Sequence, residues 1–340
     1  MGGRRRLPAT GCRAIAEPAL LPYVYRLAPP TGHYELAALE FQALTGADAP
    51  AALPWDRQED HNDVPRFARA GAGVDVARSA YIAECVHVLT EADTLDEMLA
   101  ATGRLGLRRE RFRIRVHKSG YEAPVSSNEI ARTIADLIDG APDLSRPVTE
   151  FVVFGSPRRW LLGESVSRGL NAWHGHEQRP FQYSSALPPR VARAMVNLVA
   201  LPGDRLIDPC CGVATVLVEA AEMGVEPFGW EINRPVAEHA AANLCHHTQQ
   251  AWLTIGDGRD ARGRWDGAVL DLPYGHAAVR VQSECLELVE HALKVAPLAA
   301  IVTVDDLRDF LEGLGAAVLG VAELPKNNLV RRVHWVRSPL

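Results

Sequence analysis

The rhythm of apolar and polar positions changes near the middle of the chain. In the first half, short alternating stretches predict strands at 23–28 (YVYRLA), 81–89 (YIAECVHVL), 111–118 (RFRIRVHK), 149–155 (TEFVVFG) and 159–165 (RWLLGES). Helical spacing predicts helices at 35–46, closed by Gly46, at 94–105, with Thr94 as N-cap, and at 126–140, from a serine cap to a glycine stop. Residues 47–75, rich in Ala, Pro, Asp and Gly, predict a loop. These are small α+β units, and the last two strands pair across a short turn. Residues 166–186 show no periodicity and predict a linker. Beyond it, helix and strand alternate to the end: LPPRVARAMVNLVAL, DRLIDP, VATVLVEAAEMG, EPFGWEIN, RPVAEHAAANLCHH, AWLTIGD, WDGAVLDLPYG and HALKVAPLAAIVTV, then DLRDFLEGLG. That order predicts a doubly wound, mostly parallel sheet. AVLGVAEL and LVRRVHWVR close it as an antiparallel pair joined by the turn PKNN.

Length and charge sharpen this picture. A chain of 340 residues suits two or three domains. A net charge of -6 excludes a general polyanion binder, although 108–118, 157–160 and 331–335 are locally basic. Each basic stretch can face phosphate or simply be a solvated strand face. The six cysteines have no structural-zinc spacing, and Cys245-His246-His247 sits on a helix pattern that points neighbours apart, so no metal is expected. Unpaired thiols in a large chain point to a reducing, cytoplasmic setting. The opening MGGRRRLPATGCRAIAEP lacks a leader's apolar core, and no run of about 18 apolar residues predicts a membrane span.

Ligands of doubly wound sheets bind beyond the carboxyl ends of the strands, and four predicted strand ends carry suggestive residues. Asp208 opens the loop DPCCGVAT, where Gly212 and the small Ala214 admit a ligand to the backbone before a helix N-terminus. Glu231 ends the next strand, 23 residues on, where an acid can take both hydroxyls of a ribose. Asp257, between two glycines, can meet an adenine amine or make a local turn. Together these suit an adenosine without phosphates, since no Walker lysine motif is present; that favours S-adenosylmethionine over ATP. The fourth end, Asp271-Leu272-Pro273-Tyr274, suits transfer of a methyl group to the exocyclic amine of a base. Asp271 and the Leu272 carbonyl accept the amine hydrogens, Tyr274 stacks on the base, and Pro273 stiffens the turn.

The block from FQYSSALPPRVARAMVNLV through IDPCCGVATVLVEA, GWEIN, GDGRD and DLPYG resembles the THUMP-domain tRNA guanosine-N2 methyltransferase family, and KNNLVRRVHWVR resembles its last strands. The resemblance implies a C-terminal Rossmann-like class I methyltransferase domain at 186–340. Before it come a tail at 1–18, a ferredoxin-like unit at 19–78, a THUMP-like RNA-binding unit at 79–165 and a linker at 166–185. It implies S-adenosylmethionine as cofactor, structured RNA (tRNA) as partner, a monomer, and no membrane. Residue by residue, it implies that Asp208 and Gly212 line the methionine part, Glu231 holds the ribose and Asp257 meets the adenine, while Ser184 and Ser185 close over the methionine end. It places Cys210, Ala214, Thr215, Ile232 and Gly258 at the cofactor as well. Asp271, Pro273 and Tyr274 match the D/N-P-P-Y motif. The chain departs at Leu272, in place of the first proline, at Ala214, in place of a glycine where a methyl threatens to crowd the cofactor, and at Cys210-Cys211.

Three readings stay open on these residues. The first is methylation of the guanosine N2 amine in tRNA. The second is methylation of an amine in rRNA or DNA, where the same motif serves adenine and cytosine. The third is a non-catalytic RNA-binding protein with a decayed cofactor site. A nicotinamide dehydrogenase is excluded for want of a phosphate-binding glycine fingerprint.

Overall fold

The computed structural model describes residues 22–48, 67–118, 125–248, 250–273, 279–326 and 329–339. Two seven-stranded sheets divide the chain. The first is built from β1 (Tyr23–Leu27), β2 (Phe67–Ala70), β3 (Ile82–Ala92), β4 (Arg108–Lys118), β5 (Asp139–Pro142), β6 (Thr149–Ser156) and β7 (Arg159–Arg168), in the order β2-β1-β3-β7-β6-β4-β5. Helices α1 (Tyr34–Thr45), α2 (Leu95–Arg104) and α3 (Ser127–Ala135) accompany it. Gly46 closes α1 in the left-handed conformation. Thr94 and Glu97 form a reciprocal capping box on α2, and Ser126 caps α3.

The sheet corrects the sequence reading in three places. The described part of the expected loop 47–75 contains β2, a four-residue edge strand. The expected helix 126–140 stops at Ala135, and its last residues lead into edge strand β5. The basic strand is no free phosphate-binding face. Phe112, Ile114 and Val116 pack under α2 and α3, while Arg109, Arg113 and Arg115 on the other face are ion-paired. Their carboxylates come from three other strands of the sheet: Glu164 on β7, Glu150 on β6 and the fully buried Glu84 on β3.

The second sheet holds β8 (Arg205–Asp208), β9 (Glu226–Glu231), β10 (Trp252–Ile255), β11 (Gly267–Asp271), β12 (Leu298–Thr303), β13 (Ala317–Lys326) and β14 (Leu329–Arg337). Their order is β10-β9-β8-β11-β12-β14-β13, parallel except for β14. α4 (Pro189–Val199), α5 (Thr215–Glu222), α6 (Arg234–His247), α7 (Val279–Val295) and α8 (Arg308–Gly313) complete the class I Rossmann-like arrangement that the alternating pattern predicts. α4 is buried on nearly every side because it serves two partners. One is the sheet, through Leu206, Val269, Ala300 and Val302; the other is α1, through Leu36 and Leu39. A buried carboxylate marks that junction. Glu40 on α1 accepts from the Ser79 hydroxyl (2.7 Å), the Ala80 and Tyr81 amides (2.7 and 2.8 Å) and Asn197 Nδ2 on α4 (2.7 Å). No helix among the described residues is long and apolar enough to cross a membrane.

Candidate active site

The chain reverses its winding direction at β8. From there β9 and β10 are laid down to one side, β11 and β12 to the other. Such a switch point leaves a crevice beyond the carboxyl ends. Here it is a cleft of about 530 Å³, within the range of small-molecule sites. Its walls bring together Ser185, Asp208, Cys210, Gly212, Thr215, Glu231, Ile232, Asp257, Gly258, Asp271, Leu272 and Pro273. Ser184 and Ala214 do not line it. Tyr274 lies outside the described residues.

Local chemistry explains each wall. Asp208 ends β8 buried, its Oδ1 accepting the Cys210 amide at 3.2 Å. Burial holds its carboxyl well above the ordinary range, and Asp271 and Glu231 push the same way. Glu231 is oriented by backbone: Oε2 accepts the Gly212 amide (3.0 Å) and Oε1 the Asn233 amide (2.7 Å). This ties the loop after β8 to the end of β9. Gly258 makes a second close approach, since a Cβ there would lie 2.1 Å from the Pro209 carbonyl oxygen. Asp257, expected to meet an adenine amine, is gripped by Arg259, whose Nη2 lies 2.5 Å from Oδ2 and which also binds Glu287. The Arg259 hydrogen bonds hold the Asp257 carboxyl below the usual range.

Ala214 does not crowd the cleft. Its φ is +67°, and its methyl is fully buried among Cys211, Leu217, Val218, Ala240 and Leu244. The departure from glycine strains the backbone instead, because a left-handed alanine carries a steric cost.

Asp271 ends β11 with one oxygen, Oδ1, buried and without a hydrogen-bond partner among the described residues. Burial pushes its carboxyl up to about 7, against the pull of Arg331 and Lys326. The backbone of the turn is held in place of the missing proline. The Leu272 amide donates to Val302 (3.0 Å), and the Cys210 and Cys285 thiols approach the Asp271 and Pro273 carbonyls at 3.7 and 3.9 Å. Burial raises the Cys210 and Cys211 thiols far above their ordinary range, so neither is a ready nucleophile.

A strap from the expected linker borders the cleft through Tyr183 and Ser185. Arg179 bonds the Thr215 hydroxyl at the start of α5. Asn243, fully buried on α6, bonds both the amide and the carbonyl of Phe181 (3.0 and 2.9 Å) and the Val213 carbonyl (2.9 Å). Phe181 stacks on His239 at 3.9 Å, and the Tyr183 hydroxyl meets His239 Nδ1 at 2.7 Å. Sequence reasoning missed Tyr183, Asn233, Val236, Arg259 and Cys285 on the walls. The aromatics scattered through a polar linker were the one available signal, and only for Tyr183.

The lining suits a cationic adenosine derivative. Carboxylates Asp208, Glu231 and Asp271 face apolar Leu187, Val216 and Val236. Among the described lining residues the one cation is Arg259, already engaged by Asp257 and Glu287, so they offer a phosphate no free cationic side chain. Residues 176–297 match the family profile of the UPF0020, RMKL-like methyltransferase domain.

The chain carries a methyltransferase domain.

Curated relatives similar to this chain include two tRNA (guanine(10)-N2)-dimethyltransferases. The tRNA (guanine(10)-N2)-dimethyltransferase of Methanothermobacter thermautotrophicus is 33% identical over 215 residues, covering 59% of this chain and 63% of the relative. Its namesake from Pyrococcus abyssi is 27% identical over 197 residues, covering 52% and 58%. The chain thus spans less than two thirds of either relative's length. Among solved structures, TrmN from Thermus thermophilus aligns over 93% of this chain and 99% of its own, at 19% identity and a TM-score of 0.46.

Proposed function

We propose that the protein is an S-adenosylmethionine-dependent methyltransferase acting on the exocyclic N2 amine of a guanosine in tRNA. The observation that carries this is the buried Asp271 Oδ1 on the cleft wall, which has no hydrogen-bond partner among the described residues. An orphaned acceptor in a dry site is costly unless an N–H fills it, and an exocyclic amine supplies one. The printed names of the two curated relatives support tRNA guanine-N2 as the target.

S-adenosylmethionine, when bound, supplies an electrophilic methyl group. Glu231 holds the ribose hydroxyls, Asp257 and Gly258 border the adenine, and Asp208, Cys210, Gly212 and Thr215 border the methionine end. The negative lining favours a positively charged ligand there. Asp271 and the Leu272 carbonyl accept the amine hydrogens, which localises the nitrogen lone pair and aims it. Asp271 then takes the proton, which is acidic once the amine is alkylated. Tyr274 is assigned the stacking role on the base, which has to leave a helical stem to reach it. Residues 19–78 and 79–165 serve as ferredoxin-like and THUMP-like units that grip the RNA, and the enzyme works as a cytoplasmic monomer. With the β4 arginines ion-paired, the phosphate contacts are assigned to other basic positions, such as the exposed Arg104, Arg132 and Arg158.

The test is methylation of bulk tRNA with labelled S-adenosylmethionine, digested to nucleosides. Labelled N2-methylguanosine is the expected product. Another methylated nucleoside overturns the target and keeps the chemistry. Absence of label in tRNA, rRNA and DNA overturns the activity.

A further inference from the structure

Two strap carbonyls, at Ser184 and Ser185, are held from β13 and β14. The Lys326 ammonium, at the end of β13, donates to the Ser184 carbonyl at 2.5 Å, and Arg331 Nη2, on β14, donates to the Ser185 carbonyl at 3.0 Å. Arg331 is 3% exposed, so its guanidinium is a built feature and not a surface charge. Sheet register explains how it reaches the site. Asp271 pairs with Val302, and Val302 with Val333, so Arg331 stands two residues further along β14, at the same edge of the sheet. Alternation puts Asp271 on the face of Val269, and Arg331 on the face of Val333. Val269 and Val333 belong to the same core beneath α4. Asp271 and Arg331 therefore share one face, two strands apart, and feel each other's charge.

We propose that Arg331 is a positioning residue that joins the strap to the reacting carboxylate. Its guanidinium holds the strap at Ser185 and, against the effect of burial, favours the ionised form of Asp271 that accepts an amine. The inference rests on the function proposed above and adds to it a coupling: closing over the cofactor and readying the acceptor are one arrangement. Lys326 supports both effects from a more exposed place. The other groups around Asp271 do not supply this. Asp208 and Cys210 from the β8 loop, Glu231 from β9, and Glu284 and Cys285 from α7 are all acidic or neutral. Among the described residues, the cations acting on Asp271 are Arg331 and Lys326.

The test uses the full chain and the variants R331Q, R331K and K326M, with melting curves to establish folding. Calorimetry with S-adenosylhomocysteine reads strap closure without any RNA. The pH profile of kcat/KM on tRNA reads Asp271. R331Q is expected to weaken S-adenosylhomocysteine about tenfold, the scale of a charge-assisted hydrogen bond, and to move the acid limb of the profile up by about one unit. R331K keeps the limb in place and loses part of the affinity, because it keeps the charge and loses the fork. A folded R331Q that retains both properties, or loses one without the other, overturns the joint role. Should R331Q not fold, K326M is decisive: a smaller shift of both properties in the same direction supports the coupling, and no shift overturns it. Wild-type controls separate the two levels. A wild type that binds S-adenosylhomocysteine yet labels no RNA defeats the function proposed above, and the pH dependence of binding then tests Arg331. A wild type that labels tRNA, with R331Q its equal, defeats the Arg331 role alone.

Discussion

The two sheets use carboxylates in opposite ways. On the open face of the first sheet, Glu84 is fully buried and every oxygen has a donor: Arg115 binds it with two nitrogens, and the Ser165 hydroxyl donates at 2.7 Å. At the carboxyl edge of the second, Asp208 and Asp271 crowd together, and Asp271 keeps an oxygen with no described partner. The first arrangement satisfies its own polar groups and leaves nothing for a ligand. The second is incomplete by itself, and the proposed substrate amine would meet that demand.

Substitutions break this contrast in graded steps. The largest effect is expected at Asp271. Asp271→Ala lowers turnover about a hundredfold to a thousandfold, the scale of losing one transition-state contact, and largely preserves S-adenosylhomocysteine binding. Radiolabel incorporation and calorimetry check the two halves. Glu84→Ala gives the reverse pattern. It leaves Arg115 with Glu150 as its remaining carboxylate and destabilises the fold by about 3 kcal/mol, seen in denaturant melts, while the folded fraction binds S-adenosylhomocysteine as the wild type does.

Gly258→Ala comes next, because a methyl there meets the Pro209 carbonyl. Destabilisation of about 1–3 kcal/mol is expected, with weakened cofactor binding in calorimetry. The pH dependence separates the regions too. Asp271 has its folded value raised to about 7, so the neutral form is favoured and turnover rises as pH climbs through that value. Stability runs the other way. The contribution of this group is full below the ordinary carboxylate range and is lost as pH rises through about 7. Asp271→Asn therefore melts higher than wild type at pH 8 while turning over more slowly. The smallest effect belongs to Ala214→Gly. Relief of a left-handed alanine, about 1–2 kcal/mol, nearly offsets the lost methyl and the added chain entropy of about 0.5–1 kcal/mol, leaving a melting point within a few degrees of wild type.

The second sheet was the more legible in the sequence because burial on both faces writes long apolar runs between helices of clear period. Its strand-end residues also follow one another along the chain, so Asp208, Glu231, Asp257 and Asp271 are visible as a series. β2 and β5 left little trace: FARA and DGAP are four-residue edge strands, held by pairing with a neighbour and not by an apolar pattern of their own. The helix expected through 140 ended early because Leu107 and Phe112 carbonyls draw residues 139 and 143 into pairing beside β4. The β4 charges were readable, but their partners lie on strands 31 to 55 residues away. The strap was hidden for the same reason. His239, Asn243, Lys326 and Arg331 hold it through tertiary approach, which no local spacing records.

The junction at Glu40 has a consequence for how such a molecule selects what it works on. That carboxylate binds α1, the chain before β3 and α4 into one fastening, and Arg190 adds bonds to Ala28 and Ala80 across the same seam. Buried polar fastenings of this kind do not slide. The span from the first sheet to the cleft is accordingly fixed, like the jaws of a locked caliper. On the function proposed above, a partner gripped at one end would present to the other only the part of itself that lies at that distance, and the choice of target would become a measurement of length.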